Sequence, residues 1–266
     1  MDPRLVRDHD RPQGWIVRCE GTDQSYVDLD DPTFFGFDYV ERIVDVIDLG
    51  FAAGQRITAV HVGGGAMTIP RYLAFTRPTS GQIVFEPDAS LTQAVREVIP
   101  LMRNSGIKVR AEGGRSGLTK IRDNYADLVV VDAFSGSEVP AELGTLEWFK
   151  DVHRVLRAGG TLVMNMTDVA PFGYSRRMVA GILSCFDHVI LGAEPSTWKG
   201  RRFGNLVVCA SEDVDPHLLG RKAAGGVFPY RLMYGIELTR WVGSAQPFTD
   251  KDSQCSPKPT TPPMFR

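Results

Sequence analysis

"HVGGGAMTIPRYL", residues 61–73, sets three consecutive glycines between a short apolar run and a segment with helical spacing. A chain tolerates residues without side chains where the backbone needs a left-handed φ, or where another group approaches it closely. Residues 57–62 read as a strand and residues 68–75 as a helix. Gly63, Gly64 and Gly65 therefore mark a strand-to-helix turn.

The same alternation continues downstream. Residues 82–85 read as a strand, 89–101 as a helix, 108–111 as a third strand and 128–131, inside "DLVVVD", as a fourth. Residues 145–156 form a strongly amphipathic helix, closed by Arg157-Ala158-Gly159-Gly160 as a basic last turn followed by glycines. A fifth strand at 161–166, a helix at 175–186 and two paired strands at 189–191 and 206–210 complete the run. Continuous apolar strands separated by helices require a parallel sheet covered on both faces. The expected architecture is doubly wound α/β. In front, 15–19 and 25–29 alternate apolar and polar side chains around Glu20-Gly21-Thr22-Asp23, a hairpin pattern. Residues 37–49 then place Val40, Ile43, Val44 and Ile47 at helical spacing. The expected division is a β-rich extension with the first helix at 1–50, the sheet domain at 51–212, and a C-terminal helix with a Pro-rich tail at 213–266. From Gln246 onward that tail reads as disordered or draped on the surface.

Composition narrows the partners. A chain of 266 residues can bury one sizeable core. Its 30 basic and 32 acidic side chains are mixed throughout, which leaves no single-sign face for nucleic acid or a membrane. No apolar run approaches the ~20 residues of a spanning helix, and the opening MDPRLVRDHDRPQGW has no signal-peptide core. A cytoplasmic protein is the expectation. Cys19, Cys185, Cys209 and Cys255 form no CxxC pair and stand apart from the histidines, so no metal is expected.

In a doubly wound sheet a ligand binds beyond the carboxyl ends of the strands. Glu86, in "IVFEPD", stands at such an end, roughly twenty residues past the glycines, where a carboxylate accepts the hydroxyls of a ribose. The turn is not GxGxxG, and Pro70 occupies the first turn of the next helix. That pattern favours a nucleoside over a pyrophosphate.

Several stretches resemble the spermidine synthase-like family of aminopropyltransferases, built on the fold of class I adenosylmethionine-dependent methyltransferases, a Rossmann-like sheet. They are GGG with "PRYL", the acid in "FEPD", "DLVVVDAFSG", "WFKDVHRVLRAGGTLVMNM", the front segment "QSYVDLDDPTFFGFDYVERI" and "KGRRFGNLVVCAS". The resemblance is collinear over about residues 14–212. It implies transfer of an aminopropyl group from decarboxylated adenosylmethionine to a small-molecule amine, and pairing of subunits as a homodimer through the N-terminal strands. It implies nucleotide contacts from Gln24, Gly63, Gly64, Gly65, Glu86, Glu112, Gly113 and Asp132. Tyr39 and Glu41, in the "YxE" pattern, Phe134 and Asp168 are the expected substrate contacts; Glu138 and Glu142 are further acids near the site.

Three family acids are replaced. Ala66 follows the glycines, Ser135 stands where the second acid of D-x-x-D assists deprotonation, and Gly113 takes the place of an adenine-contacting acid beside Glu112. Asp132 remains, so the catalytic positions expected are Asp132 and Ser135. Serine titrates far above neutral pH, and an ammonium buried without a counter-charge costs several kcal/mol, so a simple diamine is a poor fit. Two alternatives stand beside aminopropyl transfer. One is methyl transfer from adenosylmethionine, with the Gly64 and Gly65 amides meeting the donor carboxylate; the other is a non-catalytic nucleoside-binding homologue. In "WKGRRF", Arg201 and Arg202 are expected at a solvated hairpin mouth or facing an anionic acceptor.

Overall fold

The computed structural model describes residues 2–19 and 21–259. Glu20 of the expected front turn and the tail beyond residue 259 lie outside the described residues. The front of the chain forms a three-stranded antiparallel sheet of β1 (Leu5–Arg7), β2 (Gly14–Cys19) and β3 (Thr22–Asp28). The expected hairpin is present, and β1 adds an edge strand too short for alternation to reveal.

After α1 (Asp38–Gly50), an eight-stranded mixed sheet carries the domain. Its strands are β4 (Thr58–Val62), β5 (Gly81–Phe85), β6 (Ile107–Arg110), β7 (Ala126–Val131), β8 (Leu156–Asp168), β9 (Val189–Ala193), β10 (Gly204–Ala210) and β11 (Arg231–Tyr234). They lie side by side as β11-β9-β10-β8-β7-β4-β5-β6. From β8 to β6 all pairs are parallel, whereas β10 runs antiparallel to both β8 and β9. The connecting helices are α2 (Thr68–Thr76), α3 (Ala89–Val98), α4 (Gly114–Leu118), α5 (Leu146–Val155), α6 (Gly173–Leu183), α7 (Pro195–Trp198), α8 (Pro216–Ala224) and α9 (Gly235–Val242).

Strand alternation divides the core into two layers. Val60, Val62, Val129 and Val131 face α5 and α6, while Ala59, Leu128, Val130 and Val163 face α1, α2 and α8. Helix α5 shows why the sequence folds this way. Trp148, Phe149, Val152 and Val155 form one fully buried stripe, each contributing about 1.5–3 kcal/mol by burial. Thr145 caps the helix, its hydroxyl accepting the Trp148 N–H at 3.2 Å.

Of the boundaries that differ from the expectation, two have a local cause. Helix α3 stops at Val98 rather than 101, because Pro100 disfavours helical backbone at the residue before it. Residues 157–160 form no separate closing turn: Leu156 passes directly from α5 into β8 and pairs with Ala126, and Asn124 and Tyr125 donate to the last carbonyls of α5.

The Pro-rich segment through 259 is draped as expected but is pinned to the body. Phe248 is buried 5.6 Å from the Tyr174 ring and its carbonyl accepts the Leu146 N–H at 2.8 Å. Ser256 is buried against the loop after β7, its hydroxyl accepting the Val139 N–H at 2.9 Å. Phe248→Ala is expected to cost about 3–5 kcal/mol in urea unfolding; a change within about 0.5 kcal/mol, the range of an ordinary surface substitution, would show that the segment rests on the surface only.

Candidate active site

The chain leaves β4 toward β5 and β6, then returns to place β7 on the other side of β4. The carboxyl ends of β4 and β7 thus form the switch point where an open α/β sheet has its crevice. At this seam Gly63 has a φ of +95°, and a Cβ there would lie 2.2 Å from the Asp132 carbonyl oxygen. A Cβ on Gly64 would sit 3.0 Å from that of Glu86, and one on Gly65 3.1 Å from that of Ser25. Each glycine is therefore required by a protein neighbour: the strand seam, the acid and the front sheet.

Glu86 grips the turn. Its Oε2 accepts the N–H groups of Gly64 and Gly65 at 3.0 and 3.2 Å, and its Oε1 accepts the Asp88 N–H at 3.0 Å. A carboxylate has further lone-pair sites for hydroxyl donors. The two glycine amides point at Glu86 rather than outward, which removes the donors that the methyl-transfer alternative needed. Strand β3 ties the turn down: Ser25 Oγ accepts the Ala66 N–H at 3.2 Å, and Gln24 Nε2 donates to the Gly136 carbonyl at 2.7 Å. Arg71, buried, donates to the carbonyls of Ala66 and Pro100 at 2.9 Å and of Ile99, fastening the start of α2 to the end of α3.

Beneath the turn lies a small pocket, open to solvent on one side, with Gln24, Tyr39, Gly63, Gly64, Gly65 and Asp132 in its wall. Asp132 opens onto it yet is surrounded by protein, and this desolvation pushes its carboxyl up to about 6. Two donors oppose that rise: the Tyr39 hydroxyl on Oδ2 at 3.2 Å and the Asn165 amide on Oδ1 at 3.0 Å. Tyr39 in turn is held well above its ordinary range by burial. The cavity wall includes no lysine or arginine among the described residues.

The remaining expected residues lie elsewhere. Ser135 is exposed on a turn whose backbone pairs twice with Glu138, outside the cavity wall. Glu41 pairs with Arg42 at 2.8 Å and Glu112 with Lys120 at 2.5 Å. Gly113 stands at the N-terminus of α4, and Phe134 packs against the core. Asp168 is buried with both oxygens engaged by Val169 and Ser175 at the start of α6, a positioning task that its strand-end location alone does not reveal. Ala66 is fully buried in the apolar cluster under the front sheet, so an acid at 66 would enter core rather than cavity. Arg202 pairs with Glu194, and Lys258 with Glu138 at 3.1 Å.

Sequence reasoning missed Asn165, Arg71 and His61. The signal was present for two of them: Asn165 in "LVMNM" and His61 in "AVHV" are polar residues interrupting apolar parallel strands.

The raised carboxyl of Asp132 has a consequence for stability. A group whose folded value lies above its ordinary 3.8 favours the protonated fold, so stability is lost as pH climbs through the interval from about 4 to 6. Asp132→Asn is expected to stabilise the protein at pH 7.5 by on the order of 3 kcal/mol and to have little effect at pH 4. Thermal unfolding at the two pH values checks this; an equal effect at both would contradict it.

No family model matches the chain. A polyamine aminopropyltransferase of Vibrio vulnificus is 26% identical over 113 residues, 42% of this chain and 37% of that protein. A probable polyamine aminopropyl transferase of Bifidobacterium longum is 28% identical over 113 residues, 42% of this chain and 25% of that one. The match thus spans well under half the length of these curated relatives. A probable spermidine synthase from Corynebacterium glutamicum superposes with a TM-score of 0.85 at 27% identity, over 92% of each chain. Human methyltransferase-like protein 13, solved with SAH, shares the fold, with a TM-score of 0.54 at 15% identity over 79% of this chain and 93% of that one. In sequence over 113 residues and in fold over nine tenths of its length, the chain is similar to the polyamine aminopropyltransferases and spermidine synthases, on a methyltransferase-type fold.

Proposed function

We propose that the chain transfers an aminopropyl group from decarboxylated adenosylmethionine to a primary amine. The observation that carries this reading is Asp132, a single desolvated carboxylate held by Tyr39 and Asn165 in a cavity roofed by the glycine turn. An ammonium arriving there supplies the counter-charge that Asp132 lacks. The ammonium gives one proton to the Asp132 carboxylate, and the freed lone pair attacks the propyl carbon bound to the sulfonium sulfur. The C–N bond forms as the C–S pair returns to sulfur, methylthioadenosine leaves, and the new secondary amine departs as an ammonium that keeps its remaining protons. A carboxyl near 6 suits that exchange better than an ordinary aspartate, because it accepts a proton more readily while still ionised at neutral pH.

Glu86 holds the donor's ribose in this reading, using the lone pairs that the glycine amides leave free. A donor without a carboxylate is favoured over adenosylmethionine, since the cavity wall offers no cation and the glycine amides are engaged. The relatives named as polyamine aminopropyltransferases support the same chemistry.

The test is release of methylthioadenosine from decarboxylated adenosylmethionine in the presence of a primary amine. Asp132→Asn is expected to lower kcat roughly a hundred- to ten-thousand-fold. The acid limb of kcat/KM should inflect near pH 6, where Asp132 ionises. Tyr39→Phe removes a hydrogen bond that stabilises the ionised form, so the limb should move to higher pH. Full activity in Asp132→Asn would contradict the assignment.

A further inference from the structure

His61 is 1% exposed and lies in the wall of the same cavity. Its protonation follows from its neighbours. The Gln82 amide nitrogen donates at 3.0 Å to the Pro70 carbonyl, which can only accept, so Gln82 turns its oxygen to His61 Nε2 at 2.9 Å. Nε2 must therefore carry the hydrogen, and Nδ1 is left as a bare acceptor. No partner reaches Nδ1 among the described residues. Burial holds the imidazole neutral, its pKa lowered to about 4.

Register places this acceptor relative to Asp132. His61 pairs with Val130 across β4 and β7, and the Asp132 N–H extends that ladder to the Val62 carbonyl at 2.9 Å. Asp132 stands two residues beyond Val130 on the same face, so the two backbones are roughly 8 Å apart, ~4.8 Å across and ~6.6 Å along. Val40, Ile69 and Val130 line the space with them. The wall of this space combines one carboxylate, apolar side chains and the neutral imidazole of His61. Asp132 is the one carboxylate in its wall among the described residues. Glu86, Glu41 and Asp168 are committed to the glycine turn, Arg42 and α6.

We propose that the acceptor is a primary amine whose far end carries a neutral hydrogen-bond donor, a hydroxyl or an amide N–H, received by Nδ1 of His61. This rests on the aminopropyl-transfer reading for its chemistry. A four-carbon spacer, of the same order as that ~8 Å backbone separation, would set the amine at Asp132 and the donor at His61. A second ammonium would meet no further anion in the wall among the described residues.

The test compares 4-amino-1-butanol, n-butylamine and putrescine as ligands of the protein saturated with methylthioadenosine. Calorimetry should give 4-amino-1-butanol about three- to tenfold tighter binding than n-butylamine, the yield of one neutral hydrogen bond, with putrescine weakest. In His61→Val that advantage should vanish while n-butylamine changes less than about twofold. In wild-type protein, the 15N resonance of the unprotonated His61 nitrogen should shift on adding 4-amino-1-butanol but not n-butylamine; this decides the matter if valine at 61 impairs folding. Tightest binding of putrescine, or an advantage that survives in His61→Val, overturns the proposal. If methylthioadenosine itself does not bind, the transfer reading fails, and the amines titrated against the protein alone still decide the role of His61.

Discussion

The site depends on how closely two backbones meet at the ends of β4 and β7. Gly63 lies so near the Asp132 carbonyl that a single methyl group would drive the strands apart. Because the seam is tight, Asp132 enters the cavity directly under the glycine turn, and Tyr39 and Asn165 can reach its two oxygens. The glycine turn is a structural joint first; its exposure to the cavity follows from that joint.

From this seam the charges sort themselves. Glu86 spends part of its carboxylate on the turn's amides, and Asp168 spends its own on the start of α6. Asp132 receives only two donors and no cation, so of these three carboxylates it keeps the least compensated charge. Such a group lowers the stability of the empty fold and gains from a bound cation, a trade often found where binding or catalysis is carried out. The front sheet completes the enclosure through Gln24 and Ser25.

Much of this was legible in the sequence. The glycines, the apolar strands and the α5 stripe carry strong periodic signals, and most expected elements fell within a few residues of their patterns, whereas β1, α4, α7 and β11 were not read. Strand ends also pointed to Glu86 and Asp132. The rest was not legible because it depends on pairings distant in the chain. Nothing local to Asp168 says that Ser175 will occupy its carboxylate, and nothing near Ala66 says that the front sheet will cover it. The Pro-rich segment has a composition that favours disorder, yet Phe248, Ser256 and ion pairs from Arg115, Arg177 and Lys258 hold it to the body. The family resemblance named Tyr39 as a substrate contact, whereas its hydrogen bond to Asp132 needed the fold.

The central claim is that the cavity receives a donor nucleoside lacking a methionine carboxylate. Calorimetric titration of the purified protein with methylthioadenosine and, separately, with adenosylhomocysteine tests it most directly. The account predicts binding of methylthioadenosine and markedly weaker binding of adenosylhomocysteine, whose carboxylate would meet neither a cation nor a free amide. Preference for adenosylhomocysteine would contradict it and assign the site to methyl transfer.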